Sequence, residues 1–409
     1  MKIKVCDAIM GAGKTSAAIT QMLRDEDNKY IFITPYLDET NRIKQECKNR
    51  NFITPQNKGD GKLDNLHYHL GRSENIASTH TLFRHYTEDT LNLIRAEGYK
   101  LILDEVFSVV EEINIHQDDI DILLSQKIME VSDRGVVHWL DMEYNGDFRE
   151  LKQMALSNNL ILHDEHLMLW TFPIEAFMAF KEVIILTYLF DCQIQKYYYD
   201  MHKVEIEYIG TKKENDTYMF CDKVSFPSHV GSIAKKIHIL DNEKLNAVGD
   251  ADFSLSSSWY ARNSLMRGKP LIRKLKNNLI NLYSNIYKSK VDVNLWTTYK
   301  PHKSLLSGKG YTTGFLSFNK RSTNEYSHKK YLAYCVNVYL RPRLKNYFLK
   351  HGVNVKEDEY ALSELLQWIW RSAIRNGEEI WIYIPSMRMR MLFQNWLAAI
   401  SDVAGDMNK

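Results

Sequence analysis

Hydrophobic positions in the first half of the chain form short runs that alternate with helix-forming stretches. The runs predict buried strands at residues 2–6, 30–34, 75–78, 100–103 and 183–186. Residues 17–23 and 38–47 have the pattern of helices between these strands. Strands and helices that alternate in this order predict a doubly wound, parallel α/β sheet.

Residues 115–180 depart from this alternation. The apolar run at residues 136–140 and the pair Asn145-Gly146 predict a strand with a hairpin turn, and residues 148–155 predict a helix. We interpret residues 115–180 as an insertion in the first domain.

The second half has its own apolar runs. They predict strands at residues 204–209, 236–240, 291–297, 313–318 and 379–385, with a polar turn at 210–216. Helical patterns occupy residues 254–261, 364–374 and 388–400. We therefore expect a domain boundary near residue 200.

Length and composition fit this division. A chain of 409 residues is too long for one ordinary core and suits two domains of about 200 residues. It is 44% hydrophobic and 25% charged, as globular proteins are. The formal net charge of +2 is nearly neutral, so any contact with nucleic acid must come from a local basic surface.

Two stretches are locally basic, at residues 273–276 and 300–309. Trp296, Tyr299 and Tyr311 stand near them in the sequence. Basic and aromatic side chains together suit a single strand, because cations contact phosphates and rings stack on bases. A solvated charged face explains the same residues almost as well.

Cysteine usage and hydropathy bear on the compartment. The five cysteines are scattered without a C-x-x-C pair, which argues against a disulfide framework and a thiolate zinc site. The sequence opens without a signal peptide, and its longest apolar run is far shorter than the ~20 residues that span a bilayer. We expect a cytoplasmic protein with no membrane partner.

The stretch Met10-Gly-Ala-Gly-Lys-Thr-Ser16 lies between the first predicted strand and the first predicted helix. Gly-Lys-Thr in that context indicates a phosphate loop. Glycines let backbone N–H groups face the phosphates, Lys14 would reach the β and γ oxygens, and Thr15 would hold Mg²⁺. Ala8 replaces the usual first glycine of the pattern, so we expect Gly11 to supply the flexibility. The predicted ATP-binding residues are Met10, Gly11, Ala12, Gly13, Lys14, Thr15 and Ser16.

Asp104 and Glu105 follow directly on the strand at residues 100–103. A nucleotide hydrolase needs two carboxylates beside its phosphate loop, one to position Mg²⁺ and one to orient and deprotonate the attacking water. We assign Asp104 to the metal and Glu105 to the water.

Five short stretches together resemble the successive motifs of a superfamily 2, DEAD-like helicase. They are Met10-Gly-Ala-Gly-Lys-Thr15, Ile33-Thr-Pro-Tyr36, Ser78-Thr-His-Thr81, Leu103-Asp-Glu-Val106 and Leu186-Thr-Tyr-Leu189. The resemblance is closest to helicases of phages and prophages, which are similar in their core to the herpesvirus origin-binding helicase. It implies an α/β fold of two RecA-like parallel-sheet domains in tandem, residues 1–200 and 201–409, with the nucleotide in the cleft between them.

The same resemblance implies nucleic-acid contacts. It places Thr34, Pro35, Thr79 and His80 near the sugar-phosphate track of a single strand and makes Thr187 a link between that track and the nucleotide. The chain has Thr187-Tyr-Leu189 where the family usually has Ser-Ala-Thr. Residues 318–326 partly resemble the fifth motif, which implies contacts from Arg321, Thr323 and Asn324.

Gln367, Arg371 and Arg375 recur four residues apart, which puts them on one face if the predicted helix continues through Arg375. Two arginines one turn apart could present guanidinium groups to a γ-phosphate. The sixth motif of the family is similar and implies arginine fingers here, although Trp370 replaces its glycine and the last arginine is one position late.

These observations predict an ATP-dependent helicase or translocase, and the resemblance suggests DNA unwinding in phage replication or recombination. Its partners would be single-stranded or forked DNA, with RNA still open and replication proteins as candidates, in the host cytoplasm if a phage encodes it. Two alternatives stay open: a viral DNA-packaging ATPase, and a helicase-like module that binds DNA without hydrolysing ATP.

Overall fold

The computed structural model describes residues 2–58, 61–222, 230–319 and 325–406, and the side chains of 230 and 402–406 are not considered. Contacts divide the chain into two units. The first unit comprises Met1–Ala8, Gly13–Val224 and Arg341–Val355, and the second comprises Ile9–Ala12, Ser225–Leu340 and Lys356–Lys409.

Strands and helices are numbered in chain order. The strands are β1 Ile3–Asp7, β2 Tyr30–Thr34, β3 Ile76–Thr79, β4 Lys100–Asp104, β5 Val110–Glu112, β6 Met129–Val131, β7 Val137–Trp139, β8 Leu160–His163, β9 Leu167–Thr171, β10 Glu182–Thr187, β11 Ile206–Glu214, β12 Thr217–Cys221, β13 Ile237–Ile239, β14 Asn294–Thr297, β15 Tyr331–Tyr334 and β16 Ile380–Tyr383. The helices are α1 Lys14–Arg24, α2 Leu37–Glu46, α3 Lys62–Leu70, α4 His80–Phe83, α5 Glu88–Glu97, α6 Gln117–Ser125, α7 Arg149–Leu156, α8 Ile174–Met178, α9 Ile194–Met201, α10 Val230–Ala234, α11 Glu243–Asn246, α12 Ser257–Leu265, α13 Pro270–Asn281, α14 Lys303–Leu306, α15 Pro342–Lys350, α16 Glu357–Ile369 and α17 Met387–Asp406.

A seven-stranded sheet forms the centre of the first unit, in the order β12-β11-β1-β10-β4-β2-β3. All neighbours pair in parallel except β12, which is antiparallel to β11. Its inner strands β2, β4 and β10 are buried over their central positions, as expected for a parallel sheet that is covered on both faces. The predicted α/β class with a largely parallel sheet is confirmed.

The first sheet continues beyond the expected boundary near residue 200. β11 pairs with β1, with Ile3 opposite Ile206. β11 also runs to Glu214, so the polar turn expected at 210–216 is reduced to Asn215 and Asp216, both with positive φ. This extension was not predicted because its last residues, Lys212, Lys213 and Glu214, are charged and are typical of a loop. β11 can carry them because it lies next to the edge strand β12.

Antiparallel strands build the segment between β4 and β10. β5, β9 and β8 form a three-stranded sheet, and β6 and β7 form a hairpin. They enclose a separate core around Trp139 and Leu160. The hairpin turn expected at Asn145-Gly146 lies instead between β6 and β7, where Gly135 has a φ of +80° and donates to the Ser132 carbonyl at 2.8 Å.

The second unit has a four-stranded parallel sheet in the order β13-β16-β15-β14. The strand expected at 313–318 does not form: this segment has a 3-10 turn, Thr312–Gly314, and a single bridge from Phe315 to Trp296. Residues 331–334 supply the missing strand, β15, between β14 and β16. Gly314 passes so close to β14 that a Cβ would lie 2.1 Å from the Asn294 carbonyl oxygen, so this close approach requires a glycine.

Aromatic residues considered for base stacking belong to the core of this unit. Trp296 and Tyr311 have no exposed surface, and their rings pack edge to face at 5.2 Å. The hydroxyl of Tyr299 donates to the Asn337 carbonyl at 2.8 Å. The proposed stacking role of Trp296 and Tyr311 is therefore wrong, because both rings are fully buried and have no surface that a base could contact.

The helix expected to carry three site residues is shorter than the sequence pattern indicated. α16 ends at Ile369, and Ser372 is extended with φ −85° and ψ −172°. The Ser372 hydroxyl donates to the Ile369 carbonyl at 2.6 Å, and the Ala373 amide donates to Lys329. These bonds divert the chain, so the prediction that Gln367, Arg371 and Arg375 share one helical face is wrong.

The β11–β12 hairpin packs against α1 at the end of the phosphate loop. Gly13 has a φ of +78°, and a Cβ on it would lie 2.2 Å from the ring of Tyr218 on β12. Gly11 has a similar φ of +82°, but a Cβ there would meet nothing within 4 Å. Only Gly13 thus combines the backbone requirement with a steric one.

We predict that Gly13→Ala destabilises the protein by about 1–3 kcal/mol more than Gly11→Ala, because both incur strain at positive φ but only Gly13→Ala overlaps a packed ring. In a Tyr218→Ala background the extra cost should disappear. The four variants are Gly11→Ala and Gly13→Ala, each with and without Tyr218→Ala. Their thermal unfolding measures the coupling between position 13 and Tyr218. Additive effects within about 0.5 kcal/mol would contradict the assigned contact.

Candidate functional site

The phosphate loop leaves β1 in the middle of the first sheet and ends in α1. Gly11 and Gly13 both have left-handed φ values, so consecutive amides can turn toward one bound anion. Ala8 is 5% exposed, and its amide donates to the Thr187 carbonyl at 3.0 Å. A side chain at position 8 is thus accommodated inside the protein. Gly11 has the left-handed conformation that its expected role requires, and Gly13 has it as well.

Lys14 is the first residue of α1, and its ammonium donates to the backbone carbonyl of Ala8. Burial lowers the pKa of Lys14, while the charges of Glu105, Cys6, Asp104 and Asp7 act in the opposite direction. The lysine therefore reaches back across the base of the loop to a carbonyl oxygen. The same donor group can bind a phosphate oxygen that arrives in the loop.

Asp104 ends β4, which is separated from β1 by β10 alone. The Thr15 hydroxyl donates to Oδ1 at 3.4 Å and the Thr34 hydroxyl to Oδ2 at 3.5 Å, so both hydrogen bonds are long. Burial, with the neighbouring carboxylates of Glu105 and Glu39, raises the pKa of Asp104 to about 7. Its environment thus lacks a counter-charge sufficient to hold a bare carboxylate.

Glu105 follows with a φ of +68°, a conformation that is costly for a residue with a Cβ. Its amide donates to the Leu186 carbonyl on β10 at 2.9 Å. This turn directs the Glu105 side chain away from the strand path. Non-glycine residues at positive φ are concentrated at functional sites, which supports a role for Glu105.

Asp7 joins the loop to the end of β10. Its carboxylate accepts the amides of Leu189 at 2.8 Å and Phe190 at 3.0 Å. Beside it, the hydroxyl of Thr187 is buried and has no partner among the residues that the structure describes. A buried hydroxyl without a partner lowers the stability of the fold, so the Thr187 hydroxyl is available to hydrogen-bond a ligand group or a side chain that moves when a ligand binds.

The donor set fits Mg²⁺. Thr15 and Asp104 offer one hydroxyl and one carboxylate oxygen within 3.4 Å, and Mg²⁺ prefers oxygen ligands while keeping waters and phosphates in its shell. The described part of the chain holds no group of three or more His, Cys, Asp or Glu side chains arranged for a metal. Thr15 and Asp104 are therefore the residues that would hold the ion together with a nucleotide.

The residues expected on the nucleic-acid track lie near the same edge. Thr34 and Thr79 are buried at the ends of the neighbouring strands β2 and β3, and Pro35 and His80 are partly exposed. The ring Nε2 of His80 donates to the Asp104 carbonyl at 3.2 Å. His80 thus touches the acidic pair, while a strand contact from these four residues stays a prediction. Arg321, Thr323 and Asn324 lie outside the described residues.

In the second unit, Gln367 lies on α16 and is partly exposed. Arg371 lies two residues beyond the helix, with its Nε buried and without a partner among the described residues. Arg375 lies in the 3-10 turn Ala373–Asn376 and is exposed. The three side chains are thus presented by three different local structures.

Sequence analysis gave no role to Asp7 or Glu39. Asp7 directly follows the apolar residues of β1, so its place at the carboxyl end of a central strand was a usable signal. Glu39 lies on α2, pairs with Arg42 at 2.8 Å and raises the pKa of Asp104. No local pattern could have revealed that proximity.

Comparison with known protein families gives two matches. The YonV C-terminal Rossmann-like domain matches residues 231–397, and the YonV middle domain matches residues 110–170, which form the antiparallel segment of the first unit. The SPbeta prophage-derived uncharacterized protein YonV of Bacillus subtilis (strain 168) is 46% identical over 411 residues, covering 97% of this chain and 98% of that protein.

Solved helicase structures are similar in fold. The structure titled XPD_APO aligns with a TM-score of 0.51 and 10% identity, covering 96% of this chain and 95% of that one. A second, titled XPD_Helicase, has a TM-score of 0.48 and 11% identity over 96% and 94% of the two chains. The alignment with XPD_APO shows that the chain shares an α/β fold with that structure. No described helix is long and apolar enough to cross a membrane.

We predict that Asp104→Asn becomes increasingly stable relative to the wild type as the pH rises. A carboxyl whose pKa is raised in the folded state stabilises the fold while it is protonated, and that contribution is lost between about pH 4 and 7. The difference in Tm should grow from pH 5 to 8 by on the order of 5–10 °C, because the wild type loses about 2–3 kcal/mol over this range and each kcal/mol shifts the Tm of a domain of this size by about 2–4 °C. Asp118→Asn, at an exposed position on α6, is the control, and equal pH profiles for both variants would refute the raised pKa.

Proposed function

The chain belongs to the YonV family, and we propose that it is an ATP-dependent nucleic-acid helicase or translocase. One observation carries the proposal: Lys14 and Thr15 lie at the same edge of one parallel sheet as Asp104 and Glu105. Phosphate-binding and acidic groups at adjacent strand ends are the arrangement that nucleotide hydrolysis requires.

Each group has a defined part in hydrolysis. The loop amides bind the phosphates, and Lys14 exchanges the Ala8 carbonyl for a phosphate oxygen. Thr15 and Asp104 would hold Mg²⁺, which would supply positive charge against the phosphates. Glu105 orients the attacking water and accepts its proton.

Thr187 and Asp7 could transmit the presence of a bound nucleotide to the rest of the first unit. Thr187 ends β10 between Asp7 and Asp104, and the amides of Leu189 and Phe190 bind Asp7. A γ-phosphate that attracts the Thr187 hydroxyl would move this strand end. His80, which is hydrogen-bonded to the Asp104 carbonyl, would shift when this strand end moves.

The finer parts of the proposal rest on the sequence resemblance. We assign Gln367, Arg371 and Arg375 to transition-state stabilisation, and Thr34, Pro35, Thr79, His80, Arg321, Thr323 and Asn324 to the nucleic acid. Single-stranded or forked DNA is the proposed substrate, in phage replication or recombination, with replication proteins as candidate partners. The prophage origin of the Bacillus relative supports the phage setting. We also propose that the core of the chain is similar to that of the herpesvirus origin-binding helicase.

Phosphate release by the purified chain tests the proposal. We expect DNA-stimulated ATPase activity that Lys14→Ala abolishes together with nucleotide binding, whereas Glu105→Gln keeps binding and loses turnover by on the order of 10³-fold or more. Lys100→Ala is the matched control, because Lys100 lies at the opposite end of β4, where it pairs with Asp25 at 2.7 Å.

Lys100→Ala should retain activity at a cost in stability. Nucleotide binding without phosphate release by the wild type would show a binding module instead of an enzyme. ATPase activity that neither DNA nor RNA stimulates at any salt concentration would refute the translocase.

Arg371→Ala should lose on the order of 10³-fold in turnover with little change in nucleotide affinity, because a guanidinium acts on charge that develops in the transition state. Arg371→Lys should recover only part of the loss, since an ammonium lacks the planar fork. Single-turnover hydrolysis measures both variants. Turnover within about tenfold of wild type in Arg371→Ala would remove this residue from the catalytic set.

A further inference from the structure

Positive charge is concentrated in one part of the sequence. Residues 253–319 contain eleven lysines and arginines and one acid, Asp292, a formal charge of +10. The whole chain carries +2, so the other 342 residues carry −8. A nearly neutral total therefore conceals a strong separation of charge along the chain.

The centre of this segment is an αα-hairpin, residues 257–281, made of α12, α13 and the turn between them, which we call the basic hairpin. α13 buries Ile272, Leu275 and Leu279 against the core of the second unit. The opposite face of that helix holds Arg273, Lys274 and Asn277, all exposed.

The rest of the basic hairpin is similar. Arg262 and Leu265 are exposed on α12, and Arg267 is exposed in the turn. The hairpin has six cations and no acid in its sequence: Arg262, Arg267, Lys269, Arg273, Lys274 and Lys276. Polar side chains between them, such as Ser258 and Asn277, add hydrogen-bonding groups to the same surface.

These cations have no anionic partner in the described structure. None of the eleven lysines and arginines at residues 253–319 forms an ion pair with a described residue, whereas Arg42, Lys100 and Arg388 elsewhere in the chain do. Exposed like charges without counter-ions repel one another. A polyanion that binds there releases its own counter-ions and removes this repulsion.

The basic hairpin offers no ring for base stacking. Its two aromatic residues are Trp259, which is 5% exposed, and Tyr260, which has no exposed surface. The Tyr260 hydroxyl donates to the Cys335 carbonyl at 2.7 Å, so this ring is fixed in the core. Sites for single strands combine cations with exposed rings. This surface therefore offers cations and polar groups for phosphates but no ring for stacking.

An anionic membrane is the competing partner, because Leu265 is 87% exposed and Met266 is 44% exposed. Both lie at one end of the hairpin. An interfacial helix needs an apolar face along its length, and the apolar face of α13 is already used in the core. Leu271, in the first turn of α13, is also 39% exposed, but the remaining exposed positions of the two helices are mostly basic or small polar side chains, which favours nucleic acid.

We propose that the basic hairpin binds the sugar-phosphate backbone of a nucleic-acid duplex without sequence specificity. A duplex presents one negative charge per about 1.7 Å of its axis, a dense anion that suits a helical hairpin with several exposed cations and no acid. Duplex binding goes beyond the proposed function because it needs no nucleotide. That the duplex is the one ahead of a translocating single strand rests on the proposed function.

Binding of the full chain to a labelled duplex of about 20 base pairs, without ATP, tests the inference by fluorescence anisotropy from about 50 to about 200 mM salt. The variant is the triple substitution Arg262→Gln, Arg273→Gln, Lys274→Gln. We expect it to bind at least about tenfold more weakly at low salt, with a salt slope smaller by about 2–3, since each lost phosphate contact reduces the slope by about 0.9.

The matched control is Lys44→Gln, Lys48→Gln, Arg149→Gln, which removes the same charge at exposed positions that form no ion pair with a described residue. It should bind the duplex as the wild type does. All six positions are exposed, so Tm should change little in either triple variant.

Three results would overturn the inference: equal losses in both triple variants, a hairpin variant within twofold of wild type, or tighter binding of an equal-length single strand that depends on the same three residues. Binding of the wild type to phosphatidylserine vesicles but not to the duplex would assign the surface to a membrane. ATPase assays run in parallel separate the two proposals: absent hydrolysis with hairpin-dependent duplex binding refutes only the proposed function, and the reverse pattern refutes only this inference.

Discussion

A lysine ammonium that is taken out of water needs polar or negative partners, and the first unit is arranged to give Lys14 such partners. Its ammonium binds the Ala8 carbonyl, and the carboxylates of Glu105, Asp104 and Asp7 act on its charge. These groups come from β1 and β4, two strands that share β10 as a neighbour. The parallel order of the sheet is what brings their carboxyl ends to one edge.

The same constraint applies to Asp104, whose buried carboxylate also needs a partner of opposite charge. Burial and two nearby carboxylates raise its pKa, so a bare Asp104 anion is disfavoured until a cation arrives. Glu105 is held in a left-handed conformation, and the Thr187 hydroxyl is buried without a described partner. A left-handed residue and a buried hydroxyl without a described partner, next to a carboxylate of raised pKa, are compatible with a place where a ligand completes the structure.

The sequence was sufficient where one local pattern decides the structure. β2 matches its predicted residues, because its five buried apolar or β-branched positions are bounded by a turn and a proline. The phosphate loop and the acidic pair were identified for a similar reason, since each is read from adjacent residues. The predicted parallel α/β class followed from the order of these elements.

Structure depended on distant contacts where prediction failed. α16 looked continuous through Arg375, yet hydrogen bonds from Ser372 and Ala373 end it at Ile369. Trp296 and Tyr311 looked like stacking residues, but they pack against α13. Glu39 is far from Asp104 in the sequence and is brought near it only by the folding of the chain. Charge separation was legible in the sequence as a whole, whereas the exposure of the basic hairpin needed the structure.

A crystal structure of the wild-type chain with Mg²⁺ and a non-hydrolysable ATP analogue would show whether Lys14 binds phosphate. We expect the Lys14 ammonium to leave the Ala8 carbonyl for a β or γ phosphate oxygen, with Mg²⁺ beside the Thr15 hydroxyl and the Asp104 carboxylate. A nucleotide bound elsewhere, or a Lys14 that stays on the Ala8 carbonyl with the phosphates outside the loop, would contradict this expectation.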